Sequence, residues 1–470
     1  MTGVAAPPAT PVANFLALGS SEILSRGIAF VATAILARRL GVEGLGLLSF
    51  AAAIAGYFGL ALTTGFGEIG AREVARRPNE ALKIAADGTF VRLLIAIFGG
   101  VAVALAATLL VSEPDARIVV LLSTLSLFSL AINTSWVYKG LERNRAVATG
   151  LFATQVIYLA GVLAFVRSPA NVVRVPVIQF AGELVAALAL LAFLFRGFQR
   201  PSVRGGLVLA RQSGYITLSR VMRSLIVTFD VVLLGLLATR RDVGLYSAAY
   251  RVCYLMMAVA VATHVVYAPS ISRATLAGSA AVRNVMEQSV ALTATVMFPL
   301  VVGAAVLAPR LLSLLFGDQF GPGAPALQLL ALSIALLALH GTTRSVFVAH
   351  HRTRLEAMIF AVAAALNIVL NFILIPRYGI TGAAFATVAA EALIFAVCIV
   401  WLGRLGSPFP AIRLWRPVLG SLVMGAALLR FQGVAPLVLL IAAGAALYLV
   451  VMVASGGIRF GPAGAAVGES

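Results

Sequence analysis

The chain is short of charged residues. Asp, Glu, Lys and Arg make up 11% of its 470 residues, whereas soluble globular proteins carry about 25%. Hydrophobic residues make up 61%, and the mean hydropathy is +1.03. This composition excludes an array of soluble domains, and repeated apolar runs of about 20 residues predict a multi-pass membrane protein.

Residues that carry enzyme chemistry are also scarce. The sequence has no nucleotide-binding loop, no clustered metal ligands and no catalytic triad in a soluble domain. The two cysteines, Cys253 and Cys398, lie inside apolar runs without the spacing of a zinc site, and we expect no disulfide between them. We therefore expect neither an enzyme nor a resident metal or organic cofactor.

Acidic residues are few relative to basic ones. There are 17 Asp and Glu against 35 Lys and Arg, a formal net charge of +18. A nucleic-acid partner is not expected, because no soluble basic module is present. The basic residues concentrate in short loops such as KGLERNR and RGFQRPSVRGGLVLAR, which is typical of cytoplasmic loops. With an even number of spans, both termini are then cytoplasmic; Arg38 and Arg39, on the outer side, are the exception.

The apolar runs predict an all-α membrane protein of about 14 transmembrane helices. The final two apolar runs are expected to form helices after two six-helix lobes. The predicted segments are a disordered tail (1–13), the first lobe (14–197), a basic cytoplasmic linker (198–212), the second lobe (213–404), helices 13 and 14 (405–455) and a second tail (456–470).

An internal repeat supports two pseudo-symmetric lobes. The segment Gly46–Ala51 (GLLSFA) opens the second span, and Gly244–Ala249 (GLYSAA) opens the eighth. Each follows a short charged turn, and six spans separate the copies, as in transporters built from parallel repeats. The same offset places Arg26 of the first span beside Arg223 and Ser224 of the seventh.

Several segments resemble a known family. They are NIVLNFILIPRYGITGAAFATVAAE at 367–391, the first hairpin at 40–77, WVYKGLERNR at 136–145, and the connections at 230–251 and 315–330. In their order along the chain, these segments are similar to the polysaccharide-unit (O-antigen flippase-like) flippases of the MOP exporter superfamily. The resemblance implies a MATE/MOP-like helical bundle with a central cavity and alternating access. It also implies a polyprenyl-pyrophosphate-linked oligosaccharide substrate in a bacterial plasma membrane, with a polysaccharide polymerase and glycosyltransferases as further candidate partners.

Arginines inside the spans are the candidate substrate-binding residues. Arg26, Arg220, Arg223 and Arg251 lie within apolar runs, where a charge costs about 2.5–3.5 kcal/mol on insertion scales and is usually functional. A guanidinium stays protonated and binds phosphate oxygens in a bidentate manner. The alternative is an ion pair with a carboxylate, for which Glu22 is the local candidate partner of Arg26.

Carboxylates inside the spans are the candidates for coupling. Asp230 and Glu391 are placed to carry a proton or sodium ion, as intramembrane carboxylates do in pumps. The alternative is a salt bridge from either residue to a cavity arginine such as Arg223. Asn367 and Asn371 form an i, i+4 pair that favours interhelical hydrogen bonding over contact with sugar.

Other polar residues have simpler explanations. Glu68 and Arg92 lie near predicted cytoplasmic helix ends, where snorkelling to the interface accounts for them. His264 stands alone on an apolar span, which favours a hydrogen-bonded packing role over a proton relay.

Three other functions remain open. A cation-coupled multidrug antiporter would share the fold, although it would favour a cavity lined by carboxylates. A flippase for lipid-linked peptidoglycan precursors is a near variant. A membrane polymerase or glycosyltransferase is disfavoured, because outer loops such as SEPDAR and RSPANVVR are too short to hold a sugar-processing site.

Overall fold

The computed structural model describes residues 11–111, 113–194, 199–349, 353–461 and 464–467. Within these ranges the chain is almost entirely helical. The helices are α1 (Pro11–Arg76), α2 (Ala81–Leu110), α3 (Pro114–Ser123), α4 (Leu125–Ile132), α5 (Ser135–Gly140), α6 (Asn144–Phe165), α7 (Arg174–Leu194), α8 (Val203–Leu237), α9 (Arg240–Ala277), α10 (Ser279–Val306), α11 (Ala308–Phe316), α12 (Ala324–Ala349), α13 (Thr353–Arg404), α14 (Trp415–Phe431) and α15 (Leu437–Ala454). Short 3-10 turns lie at Pro78–Glu80, Pro169–Asn171, Asp318–Gly323 and Ala411–Leu414.

Two of these helices are interrupted by glycine. In α1 the backbone leaves the helical region at Gly41 (φ 76°), and in α13 it does so at Gly379 (φ 54°). Both values fall where only glycine is unstrained. After Gly379 the chain folds back on itself, since a side chain at Gly382 would lie 2.5 Å from the carbonyl oxygen of Leu374. The predicted turns after the first and eleventh spans therefore lie at these two glycines.

The all-helical membrane fold is confirmed. Within the described residues, eleven helical segments are long and apolar enough to cross a membrane. Two of them, Ser21–Arg76 and Arg354–Arg404, are 56 and 51 residues long, and each has room for two crossings at about 1.5 Å per residue. The total of 14 stays a prediction.

Two predicted boundaries differ from the structure. The C-terminal segment was expected to be a tail, but Ile458–Gly461 and Gly464–Val467 form antiparallel strands β1 and β2. Helix α8 begins at Val203, inside the segment expected to be a linker. At the other end, α1 begins at Pro11, and residues 1–10 of the expected N-terminal tail lie outside the described residues.

The chain forms two compact units, Met1–Ser224 and Leu225–Ser470. In a bilayer, helices associate through close packing of small residues more than through the hydrophobic effect. In the first unit a side chain at Gly70 would meet the Trp136 ring at 2.5 Å, so only glycine admits this contact. In the second unit, Ala363 and Ala390, from the two halves of α13, belong to one buried cluster with Phe347 of α12. These interfaces fix the helix rotations that place buried polar groups.

Candidate functional site

A carboxylate is fully buried in the second unit. Asp230 on α8 has a relative exposure of 0%. An ionised carboxylate in such a place is costly unless hydrogen bonds surround it. The partners of Asp230 therefore decide what this group can do.

Side chains from two other helices surround Asp230. Tyr246 on α9 donates its hydroxyl to Oδ2 at 2.6 Å, and Thr387 on α13 donates to the same oxygen at 2.6 Å. Asn371, on the other half of α13, donates to Oδ1 at 2.7 Å. Within the described residues these hydrogen-bond partners are neutral, whereas an arginine such as Arg223 was the predicted alternative partner of Asp230.

The two asparagines complete what we call the Asp230 cluster: Asp230, Tyr246, Asn367, Asn371 and Thr387. Asn371 Nδ2 donates to Asn367 Oδ1 at 3.0 Å, and both residues have 0% exposure. Within the described part of the chain, Asn371 Oδ1 is buried without a hydrogen-bond partner. The cluster thus holds a carboxylate, two hydroxyls and two amide oxygens, and one of the amide oxygens is unsatisfied. Hard cations bind such oxygen ligands.

The predicted interhelical role of the asparagines is confirmed by this geometry, whereas Tyr246 and Thr387 were missed. One sequence signal was available. Tyr246 occupies the third position of the repeat segment GLYSAA, where the first copy has Leu48. A hydroxyl present in only one copy of an apolar repeat suggests a local polar partner.

A second buried carboxylate pairs with a histidine. His340 Nε2 on α12 lies 2.6 Å from Glu391 Oε2 on α13, and the two residues are 4% and 5% exposed. The His340 ring also lies edge-on to Phe360, with centroids 6.4 Å apart. Glu391 was among the predicted coupling residues, whereas His340 was not predicted. The other notable histidine, His264, lies with Nε2 2.8 Å from the carbonyl oxygen of Ala338, in line with its expected packing role.

Two of the predicted substrate-binding arginines, Arg26 and Arg220 of the first unit, lie in exposed ion pairs. Arg26 Nη2 lies 2.7 Å from Glu22 Oε1, with side-chain exposures of 68% and 54%. Arg220 Nη2 on α8 lies 3.0 Å from Glu68 Oε1 on α1, both side chains being 51% exposed. The expected Arg26–Glu22 contact is therefore present, while the Arg220–Glu68 contact was not anticipated.

The other two predicted arginines are less defined. Arg223 lies in α8, but its side chain is outside the described residues. Arg251 lies on α9 and is half-buried. The role of the four arginines in substrate binding stays a prediction.

Arg92 is a buried arginine in the first unit. It is 2% exposed, so the expectation that it snorkels to the interface is wrong. Its guanidinium donates to the carbonyl oxygens of Leu62 at 2.9 Å and Asn133 at 2.7 Å, and also to that of Leu130. Arg92 therefore joins α1, α2 and α4 through backbone acceptors.

Two family models match long stretches of the chain. The model described as "Polysaccharide biosynthesis protein" matches residues 12–275. The model described as "Lipid II flippase MurJ" matches residues 146–453. Each covers more than half of the sequence, and together they cover both units.

One curated relative and two solved structures extend the comparison. The "Probable low-salt glycan biosynthesis flippase Agl15" of Haloferax volcanii is 25% identical over 436 residues, which cover 88% of each chain. A structure of "Lipid II flippase MurJ, inward closed conformation" superposes with a TM-score of 0.77 at 14% identity, over 93% of this chain and 98% of that one. An inward-facing multidrug resistance MATE family transporter gives a TM-score of 0.66 at 14% identity, over 84% and 99%. At this identity the structures establish the fold alone.

Proposed function

Because the chain belongs to the polysaccharide biosynthesis protein family, within the MOP superfamily of flippases, we propose that it moves a polyprenyl-pyrophosphate-linked oligosaccharide across the bacterial plasma membrane. The transfer would run from the cytoplasmic to the outer leaflet and supply the synthesis of O-antigen, capsule or exopolysaccharide. The observation that carries the proposal is the glycan-flippase relative, which aligns over 88% of both chains.

The arginines of the first unit have suitable chemistry for the pyrophosphate group. Arg26 and Arg220 are more than half exposed, so a diphosphate can reach them. Each is held by a carboxylate that fixes the guanidinium while leaving N–H donors for a second acceptor. Glu22 and Glu68 would then position the cations, and Arg223 and Arg251 would add positive charge from α8 and α9.

We further propose that the Asp230 cluster carries the coupling cation, either sodium or a proton. The cluster supports both, since a carboxylate can take up a proton and the surrounding oxygens suit a small cation. Hydroxyl and amide side chains can rotate between the carboxylate and an ion, so occupancy would change the hydrogen bonds that tie α8 to α9 and α13. The Glu391–His340 pair is the second candidate for proton uptake.

A flippase for lipid-linked peptidoglycan precursors is the second candidate. The MurJ family model favours it, since that model matches residues 146–453. Both candidates are transporters of lipid-linked precursors. The curated relative and the MurJ family are flippases, which favours transport over glycosyl transfer. Multidrug antiport is supported by fold likeness alone.

Reconstitution tests the proposal. Purified protein in proteoliposomes is given a polyprenyl-diphosphate oligosaccharide or a lipid-linked peptidoglycan precursor, and arrival in the opposite leaflet is read from cleavage by an added glycosidase or peptidase. We expect rapid transfer of the oligosaccharide lipid and little transfer of the precursor. The reverse preference would establish the second candidate. Transfer of neither lipid, together with efflux of cationic dyes, would support a multidrug antiporter.

The proposal also makes a prediction for cells. Deletion of the gene should trap lipid-linked repeat units in the cytoplasmic leaflet and remove surface polysaccharide. Polymerase and glycosyltransferases would act on either side of this step, and both termini of the chain would face the cytoplasm. Normal surface polysaccharide in a deletion strain without a paralogue would contradict the proposal.

A further inference from the structure

A cationic pocket lies in the second unit, apart from the Asp230 cluster. It has a volume of about 310 Å³, within the usual range for small-molecule sites. Its charged lining residues are Arg283 and Glu287 of α10, Arg413 of the 3-10 turn Ala411–Leu414, and Arg416 of α14. Three arginines against one glutamate leave an excess of positive charge.

The carboxylate of Glu287 organises two of these arginines. Glu287 Oε1 accepts from Arg283 Nε at 3.0 Å, and Oε2 accepts from Arg413 Nη2 at 2.9 Å. The bridge ties the 3-10 turn to α10 and holds both guanidinium groups at the pocket. A guanidinium has five N–H donors, so each group can also serve a bound anion.

The third arginine is held by the backbone. Arg416 Nη1 donates to the carbonyl oxygen of Gly456 at 3.0 Å, just after the end of α15. Its Nε is buried and has no hydrogen-bond partner within the described residues. A buried, unsatisfied N–H at the edge of a cationic pocket favours an acceptor such as a phosphate oxygen.

The surroundings of the pocket are those of a membrane interface. The pocket lies where α10 and α14 begin and α15 ends, so it is at one end of the transmembrane helices. Trp415 lines it and is 49% exposed, and tryptophan is enriched at this depth. Next to it, Val418, Leu419 and Leu422 of α14 are 37%, 44% and 61% exposed. Together with Trp415 these residues follow an i, i+3, i+4, i+7 spacing, which places all four side chains on one exposed apolar face of α14.

From this arrangement we propose that the pocket binds the phosphate headgroup of an anionic membrane phospholipid. The arginines neutralise the phosphodiester, Trp415 packs beside the glycerol backbone, and the acyl chains follow the exposed apolar face of α14. A zwitterionic lipid carries its own ammonium group, which the surplus of arginines would repel. This lipid site does not depend on the identity of the transported substrate, so it can be tested independently of the proposed function.

Native mass spectrometry of the full-length protein in detergent tests the proposal, with dioleoyl phosphatidylglycerol and dioleoyl phosphatidylcholine as matched ligands. We expect selective binding of the anionic lipid. Arg416→Gln should weaken it by about tenfold or more, since a hydrogen bond to a charged group is lost. The control is Arg430→Gln, an exposed arginine near the other end of α14, which should leave the affinity within about twofold.

Two further arms decide the source of the phosphate. Inorganic phosphate and polyprenyl diphosphate are each added as competitors. Displacement by inorganic phosphate at matched concentration would make this a soluble-anion site, and displacement by polyprenyl diphosphate alone would make it part of the substrate path. Either result overturns the proposal, as does equal binding by Arg416→Gln and Arg430→Gln. If Arg416→Gln fails to fold, Arg283→Gln replaces it, because the Arg283 side chain is 57% exposed.

Discussion

The two units treat their buried charges differently. In the first unit, Arg92 is satisfied by carbonyl oxygens of Leu62, Leu130 and Asn133. In the second unit, Asp230 is satisfied by the side chains of Tyr246, Asn371 and Thr387. Backbone acceptors are fixed by the fold, and an arginine keeps its proton. Side-chain donors can rotate, and the negative charge of a carboxylate can be neutralised by a bound proton or metal cation.

This contrast assigns different roles to the two groups. Arg92 fastens three helices together and should matter for folding. The Asp230 cluster joins α8, α9 and both halves of α13 through contacts that can be remade, and should matter for transport. The exposed pairs Arg26–Glu22 and Arg220–Glu68 belong to neither class, because water or substrate can replace their contacts.

Arg92→Leu gives the largest expected effect. It leaves three carbonyl groups without their charged donor, and a buried acceptor left unsatisfied costs about 1–3 kcal/mol, so the yield of folded protein should fall. The matched control is Arg39→Leu. Arg39 also donates to carbonyl oxygens, those of Val162 at 3.1 Å and Val166 at 2.6 Å, but it is only half-buried.

Size-exclusion profiles and thermal midpoints of the purified variants measure this difference. Normal folding of Arg92→Leu, or equal losses in the two variants, would remove the distinction between Arg92 and an ordinary interfacial arginine.

Arg26→Ala should reduce transport strongly without affecting folding. The side chain is 68% exposed, so its removal costs little stability, about 0–1 kcal/mol. Arg26→Lys keeps the charge but loses the bidentate fork, and should retain part of the transport rate. If Arg26 serves only to neutralise Glu22, the double replacement of both residues by apolar ones will restore transport in the reconstituted assay.

Thr387→Val and Tyr246→Phe sharpen the picture of the Asp230 cluster. Each removes one donor that stabilises the free Asp230 carboxylate, and hydrogen bonds to a charged group contribute about 1.5–3 kcal/mol. The cation concentration that gives half-maximal transport should therefore shift by about tenfold. It should fall if the cation is a proton, because the ionised carboxylate is less stabilised, and rise if it is sodium, because an oxygen ligand is lost. Because both donors share one oxygen, their effects should not add. The concentration of sodium, or of protons, that gives half-maximal transport measures each variant and the double variant. Strict additivity would show that the two donors act independently of each other, which would contradict a shared role at Oδ2.

Glu68→Gln should have the smallest effect. Its pair with Arg220 is half exposed, and such pairs contribute about 0–1 kcal/mol. The thermal midpoint should hardly move. Arg220→Gln should be equally stable, and a transport defect in Arg220→Gln but not in Glu68→Gln would place Arg220 in substrate binding.

Sequence patterns predicted the helices better than the contacts between them. Apolar runs and glycine turns fix where spans begin and end, which is why the breaks at Gly41 and Gly379 agree with the prediction. The contacts of Thr387, Tyr246 and His340 depend on how each helix is rotated against its neighbours. That rotation is set by close packing, such as the buried cluster that contains Ala363 and Ala390, and not by periodicity alone.

The burial of Arg92 also could not be predicted from the sequence. Its position near the predicted end of a span indicated snorkelling, since a long basic side chain usually reaches water there. The carbonyl groups that hold it come from α1 and from the end of α4, and their approach depends on tertiary packing. A buried arginine with backbone acceptors has no signature in a single sequence.

The most direct test of the Asp230 assignment compares driven and undriven transport. Wild-type and Asp230→Asn proteins are reconstituted, and transfer of the lipid-linked oligosaccharide is followed with no gradient, with a sodium gradient and with a proton gradient. We expect one gradient to accelerate transfer by the wild-type protein, and Asp230→Asn to lose this acceleration while it remains folded and keeps its undriven exchange. Equal acceleration in both proteins would contradict the assignment.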